Sequence, residues 1–323
     1  MVLYLVSGGA GFIGSHIVHA LVARGDRVRV LDDLSSGRLE NLAALDVSER
    51  FGRGQVEFLR GSISDPAACA QACAGVAGIF HEAAQVSVPR SVEAPIESYQ
   101  INVMGTLHLL EAARLAGVKR FVFAASSAAY GNTATLPKIE SMTPEPLSPY
   151  ASGKLAGEAL LRVYGEMYGM RTVALRYFNV FGPRQLDDSP YTGVIAIFAR
   201  ALLDGRTPTI FGDGEQTRDL TYVDNVVQAN LAAMQSELPA GVVINVGGGE
   251  RITINQLYST MAEILGVDQP ARHAPARAGD VLHSLASIER AREMLGYRPT
   301  VSWRAGLVET VAWYRARQVA ART

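Results

Sequence analysis

A glycine turn set between an apolar strand and a helix limits this chain more than any other feature. Val2-Leu3-Tyr4-Leu5-Val6 runs into Gly8-Gly9-Ala10-Gly11-Phe12-Ile13-Gly14, and Phe12, Ile13, Ile17 and Leu21 then recur at helical spacing. Such a turn lets the backbone approach a ligand closely, and the helix N-terminus beyond it offers unpaired N–H groups to anionic oxygens. Strand, G-x-x-G-x-x-G and helix in this order predict a dinucleotide site built from Gly8, Gly11, Phe12, Ile13 and Gly14. Eighteen residues past Gly14 a second apolar strand, Val28 to Leu31, ends on Asp32. A carboxylate there accepts both ribose hydroxyls and repels a 2′-phosphate, which favours NAD over NADP.

The first half of the chain keeps alternating. Val56–Leu59, Val76–Phe80, Arg120–Ala124 and Thr172–Leu175 read as short buried strands, separated by helical stretches at Asp65–Ala74, Ala94–Ala116 and Tyr150–Tyr168. That pattern predicts an α/β, doubly wound parallel sheet of Rossmann type, with its ligand at the C-terminal strand edge. After Phe178 the pattern loosens into the turn-rich loop Gly182–Pro190. Helices at Gly193–Leu203, Tyr222–Gln235 and Ile254–Leu265 follow, with strands at Pro208–Phe211 and Val242–Val246. We therefore expect residues 1–178 to form the dinucleotide domain and 179–323 a smaller α/β substrate-binding lobe, with 219–246 able to return to the main sheet.

Composition excludes several classes. At 323 residues with net charge −1, the chain is large enough for a sizeable core and lacks the basic surplus of a nucleic-acid or acidic-membrane binder. No apolar run approaches the roughly 18 residues of a membrane span, and no secretory leader pattern opens the chain. Cys69 and Cys73, four apart in a helical pattern, sit too far from each other for a disulfide, which suits a cytoplasmic protein. His81-Glu82-Ala83-Ala84-Gln85 lacks the second histidine of a zinc helix, so no metal site is expected.

Tyr150 and Lys154 carry the redox reading. One helical turn apart, they share a face, and a nearby ammonium favours the phenolate. The positive ring of NAD⁺ adds to that effect. Lowering a tyrosine from about 10 to about 7 takes roughly 4 kcal/mol, which two desolvated cations can supply. The phenolate then serves as general base toward a substrate hydroxyl. A partner hydroxyl is expected from Ser126 or Ser127 at the end of the Arg120 strand.

The glycine turn, Ser126–Tyr130, Tyr150/Lys154 and Tyr177-Phe178-Asn179-Val180-Phe181-Gly182-Pro183-Arg184 together resemble the extended short-chain dehydrogenase/reductases over nearly the whole chain. Within them the chain is most similar to NAD-dependent UDP-hexose 4-epimerases, UDP-N-acetylglucosamine 4-epimerases in particular. The resemblance implies NAD held also by Asp33, Ser35, Ser36, Gly37, Ile63, Ala83, Ala84, Gln85, Asn102 and Tyr177. Ser62 stands where the family usually has an adenine-binding Asp. Ser126, Tyr150 and Lys154 become the catalytic set. Ala128 replaces the Glu that dehydratases and sugar-acid decarboxylases use, which leaves oxidation and re-reduction at C4.

On the substrate side the resemblance implies diphosphate contacts from Arg218 and Arg277, a ribose contact from Asp280, and a sugar-side Asn179. The Thr209–Phe211 strand would lie along the base, with Thr209 and Phe211 as its contacts. Ser284 falls where glucose-only relatives carry a bulky Tyr, so N-acetylated sugars fit. Ser87 and Gln185 match sugar contacts in N-acetylhexosamine relatives, while Ser126, Ser127 and Tyr150 face the reacting oxygen. Helices 94–116 and 150–168 correspond to a four-helix bundle between subunits, so a homodimer is expected. Two other readings stand beside the epimerase: a nucleotide-sugar dehydrogenase or reductase that exchanges its cofactor, and a non-catalytic NAD-binding protein.

Overall fold

The computed structural model describes residues 1–50, 52–185, 193–276 and 282–320. In chain order β1 (Leu3–Ser7), α1 (Phe12–Ala23), β2 (Arg27–Asp32), β3 (Val47–Ser48), β4 (Val56–Arg60), α2 (Pro66–Cys73) and β5 (Gly78–His81) come first. Next are α3 (Val88–Glu93), α4 (Pro95–Tyr99), a π-turn at Gln100–Met104, α5 (Gly105–Leu115), β6 (Arg120–Ser126), α6 (Pro149–Tyr168) and β7 (Arg171–Tyr177). The remainder runs β8 (Val180–Phe181), α7 (Val194–Leu203), β9 (Thr209–Phe211), β10 (Thr217–Arg218), β11 (Thr221–Tyr222), α8 (Val223–Gln235) and β12 (Val242–Val246). It closes with β13 (Ile252–Thr253), α9 (Ile254–Leu265), β14 (Arg272–Ala274), α10 (Glu289–Leu295) and α11 (Trp303–Ala320).

Eight strands form one all-parallel sheet in the order β12-β7-β6-β5-β1-β2-β4-β3. Its strands are mostly apolar, as burial on both faces requires, and among the buried charges they carry Arg29 pairs with Glu57 and Arg176 with Glu158 of α6. Ile17 and Leu21 of α1 and Val226 and Ala229 of α8 cover one face. Cys69 and Ala72 of α2, Leu109 of α5 and Leu161 of α6 cover the other. Both cysteines are free and buried, and burial pushes their thiols up to about 12, so they serve as small core residues. This is the doubly wound fold expected from the alternation. The late strand Val242–Val246 does return to the main sheet, beside β7.

A third apolar cluster lies outside the sheet, where Phe198 and Leu202 of α7 pack with Leu257 and Met261 of α9 and Leu307 and Val311 of α11. Among the described residues no helix is long and apolar enough to cross a membrane.

The stretch expected as one helix over 94–116 is broken up. Thr106 Oγ1 donates to the Asn102 carbonyl at 2.7 Å, and a π-turn separates α4 from α5. A hydroxyl that bonds back to the i−4 carbonyl competes with the ladder bond and loosens the helix there. Gly105 allows the close approach, since a Cβ on it would stand 2.8 Å from Ile63 Cδ1. The strand expected from Val76 begins at Gly78, where a Cβ would meet Met234 Sδ at 2.6 Å.

Candidate functional site

The site lies where β1, β2, β5, β6 and β7 end. Gly8 has φ +71°, and a Cβ there would stand 2.7 Å from the Ala83 nitrogen; a Cβ on Gly14 would stand 2.2 Å from the Gly8 carbonyl oxygen. The turn therefore tolerates no side chain at either place. Gly11 caps α1 without a side-chain bond, which leaves the first N–H groups of the helix available to an anion. Phe12 and Ile13 follow and pack into the outer apolar cluster.

Asp32 ends β2 and is fastened on two sides. Its carboxylate accepts from Ala10 N at 2.9 Å and from Leu34 N at 2.8 Å, and a Cβ on Gly37 would lie 2.7 Å from its Oδ1. Burial raises its pKa and the two amides pull it back. Burial acts the same way on Asp33, but hydrogen bonds from Ser35 and Ser62 outweigh it and hold that carboxyl below its ordinary value. Ser62 thus works through Asp33, while Ser36 is exposed on the same loop and Ile63 is buried beneath it. A cradle this bare of side chains, with a carboxylate at its edge, fits a dinucleotide.

Glu82, Ala83, Ala84 and Gln85 follow β5. Asn102 holds this loop, accepting from Gln85 N at 2.9 Å and donating to Gln85 O at 3.0 Å. Its amide is therefore committed to the backbone of the loop. Ser87 caps α3 by accepting from Arg90 N at 3.2 Å.

Tyr150 enters on the first turn of α6, which Ser148 caps from Ala151 N at 3.2 Å and which Pro149 opens. Ser91 Oγ accepts from Tyr150 N at 3.1 Å and fixes the start of the helix. Ser126 ends β6 close enough to the Tyr150 phenol to lower its pKa, and its hydroxyl accepts from Ala128 N at 3.2 Å. Ser127 and Ala128 lie in the short 3-10 turn that follows, and Ala128 brings no carboxylate. Lys154 is buried; its Nζ donates to the Ala124 carbonyl at 2.7 Å and lies 6.0 Å from the centre of the Tyr150 ring.

One expectation needs correcting. Burial pushes the Tyr150 phenol above its ordinary value; the nearby Ser126 hydroxyl opposes this and the Glu82 charge adds to it. The protein's own groups do not favour the phenolate. Burial also lowers Lys154 to about 8, partly offset by the Glu82 charge.

Across the crevice a cavity of about 650 Å³ is lined by Asn179, Gln185, Arg206, Thr209, Phe211 and Arg218 among others. Asn179 has φ +23°, and its Nδ2 donates to Asp219 O at 3.1 Å and to Ser284 Oγ at 3.2 Å. The buried Asp219 carboxylate accepts from Gly248 N at 2.6 Å, Gly249 N at 3.3 Å and Ala286 N at 2.9 Å, tying this wall to the end of β12. Gln185 Nε2 donates to Val180 O at 3.1 Å. The expected contacts Arg277 and Asp280 lie outside the described residues.

The sequence reading missed two residues. Arg206 lines the cavity from the turn before β9, a place where an Arg beside the expected base-binding strand was a usable signal. Glu82 sits beside Tyr150, Lys154 and Tyr177 with its carboxyl pushed up to about 7 by burial, against the Tyr177 hydrogen bond and the Lys154 charge.

Comparison with known proteins agrees with this geometry. Residues 4–247 match the model of the NAD dependent epimerase/dehydratase family. A UDP-glucose 4-epimerase of Mycolicibacterium smegmatis is 44% identical over 322 residues, covering 96% of this chain and 98% of that protein. The UDP-N-acetylglucosamine 4-epimerase of Methanobrevibacter ruminantium, solved with UDP-N-acetylmuramic acid, is 38% identical with a TM-score of 0.91, covering 98% of this chain and 99% of that one. A Thermus thermophilus UDP-glucose 4-epimerase solved with NAD is also 38% identical, with a TM-score of 0.85 and coverage of 97% and 99%. By its glycine cradle, its Ser126–Tyr150–Lys154 constellation and the matched length, the chain belongs to the NAD dependent epimerase/dehydratase family.

Proposed function

We propose that the protein is an NAD-dependent 4-epimerase of UDP-sugars that accepts UDP-N-acetylhexosamines as well as UDP-hexoses. The observation that carries this reading is the placement of Ser126 at the end of β6 beside Tyr150, with Lys154 one turn along α6 and no carboxylate at Ala128. Elimination of water would need a base at that turn, and proton transfer at O4 needs only Tyr150.

NAD is the cofactor, held on Gly8, Gly11 and Gly14 with its adenosine ribose at Asp32. When bound it supplies the acceptor for the C4 hydride and its donor to the opposite face. Tyr150 takes the O4 proton and Ser126 shares the same oxygen, while the Lys154 ammonium one turn along α6 and the positive ring of bound NAD⁺ would together offset the burial that raises the phenol. Arg218 and, by resemblance, Arg277 hold the diphosphate with guanidinium forks while the 4-keto sugar turns in the cavity. Tyr150 then returns the proton. Ser284 leaves room for a 2-acetamido group. Residues 1–178 with β12 form the cofactor unit, and the rest of the chain after 178 supplies most of the cavity. Exposed Ile96, Tyr99, Met104, Val163, Met167 and Tyr168 support a homodimer built on α4–α6 of two copies.

The test is to incubate the purified protein, without added NAD, with UDP-N-acetylglucosamine and separately with UDP-glucose, and to follow the anomeric protons by NMR. Appearance of the C4 epimer is expected. Product only when NAD or NADH is supplied stoichiometrically would move the protein to the dehydrogenase or reductase class.

A further inference from the structure

We propose that Glu82 is a positioning residue that holds a negative charge against the Tyr150–Lys154 pair and so sets the pH window in which that pair works. The inference rests on the epimerase reading for its reaction, though not for its electrostatics. His81 pairs with Phe123 in the β5–β6 register, so Glu82 leaves the sheet level with Ala124, whose carbonyl accepts Lys154 Nζ at 2.7 Å.

Three elements fix the carboxylate in place. Asn230 Nδ2 on α8 donates to Val226 O at 2.9 Å and to Tyr177 Oη at 2.8 Å. Tyr177 Oη on β7 in turn donates to Glu82 Oε1 at 2.9 Å. With Asn230 occupying the phenol oxygen as acceptor, the single Tyr177 proton is directed at Glu82. A glutamine would accept that bond equally well. What Glu82 adds is charge, and among the described residues the cation acting on it is Lys154.

The other groups facing Glu82 are Tyr150 and Lys154 on α6, Tyr177 on β7, and neutral Asn230 on α8; Ser126 on β6 reaches it through Tyr150. His81 on β5 is buried between Ser7 and Thr106 and stays neutral, its pKa lowered to about 3 by burial and then by Lys154. A negative charge beside Tyr150 and Lys154 makes both hold their protons more tightly. Removing it therefore lowers the pH at which Tyr150 becomes a base and the pH at which Lys154 loses its charge. Both limbs of the activity profile move the same way.

The experiment compares Glu82→Gln with the parent holoenzyme across pH, using kcat for UDP-glucose. The substitution keeps the acceptor for Tyr177 and deletes only the charge. Because burial raises the Glu82 carboxyl itself to about 7, the deleted charge is fully present only above that pH, so the alkaline limb is expected to move to lower pH by about one unit and the acid limb by less, with KM little changed. Tyr177→Phe, which frees the carboxylate, is expected to shift the limbs by a smaller amount. A Glu82→Gln profile that falls evenly without moving would mark a structural role and overturn the proposal. If the parent turns over no UDP-sugar, the epimerase reading fails and the proposal is decided by NMR of ring-labelled tyrosine. There the Tyr150 phenol, identified by its loss in Tyr150→Phe, titrates lower in Glu82→Gln if the proposal holds. Coincident titrations overturn it.

Discussion

Asn179 and Ser284 are joined by a 3.2 Å hydrogen bond across 105 positions of sequence, from Asn179 Nδ2 to Ser284 Oγ. The same hydroxyl accepts from Asp219 N at 3.2 Å. Ser284 therefore fills little space yet braces the Asn on the cavity wall, whose backbone sits at φ +23°, outside the region most residues adopt.

On the proposed reading, replacing Ser284 by Tyr fills the room that a 2-acetamido group would take, and it withdraws the hydroxyl from Asn179. Ser284→Tyr is expected to lower kcat/KM for UDP-N-acetylgalactosamine by about tenfold or more while UDP-galactose loses only a few-fold. Steady-state kinetics on the two substrates check this. Unchanged turnover of the N-acetylated sugar would remove Ser284 from the account of specificity.

Tyr150→Phe deletes the proposed base and keeps the Ser91 bond that anchors the start of α6, because that bond goes to the Tyr150 backbone. We expect kcat to fall by about 10²–10⁴ with KM and thermal stability near those of the parent. A loss of less than tenfold would mean that another group takes the O4 proton.

The sequence was most informative where one physical requirement admits few residues. The glycine turn, Asp32 at a strand end and the Tyr150–Lys154 spacing were all legible because each answers a steric or electrostatic demand set by neighbours in the chain. The parallel sheet was legible from alternation, as was the possible return of 219–246. The break at Gln100–Met104 was hidden, since Thr106 is compatible with helix until its hydroxyl meets the Asn102 carbonyl. Glu82 was hidden for a different reason. Its partner Tyr177 is 95 positions away, and Asn230, which in turn donates to Tyr177, is 148 away, so only the folded sheet and the helix packed on it bring them together. The Tyr150 phenol shows the limit from the other side: the chain shows that a cation is near, but the extent of burial is a property of the fold.

His81 makes the native state sensitive to acid. It is fully buried, bonded to Ser7 Oγ at 2.7 Å and to Thr106 Oγ1 at 3.0 Å, and its folded pKa of about 3 lies below the ordinary 6.5. Below 6.5 the unfolded chain takes up a proton that the native state refuses, so stability is complete above that pH and declines from 6.5 toward 3. By pH 5 this one group removes about 2 kcal/mol. Urea unfolding at pH 7.5 and pH 5 should show a smaller difference for His81→Gln than for the parent. Equal differences would assign the acid sensitivity elsewhere.

The apolar residues left uncovered on α4–α6 predict the oligomer. Met167 is 72% exposed and Ile96 73%, values that a core-facing side chain never has, and Val163 stands one turn from Met167 on the same face of α6. Isolated exposed apolar residues are ordinary, but several on neighbouring helices form a patch that water covers poorly. Two copies related by a two-fold axis would bury that patch against itself, each contributing a pair of helices. The parent is expected to sediment as a dimer. Val163→Glu with Met167→Glu places four carboxylates at the proposed seam and should raise the dimer dissociation constant by about tenfold or more at low salt. The glycine cradle and the Ser126–Tyr150 pair do not involve those two side chains, so NAD binding should survive the change. A parent that sediments as a monomer at micromolar concentration would sink the bundle interface, and a double variant that stays dimeric would move the seam to another face.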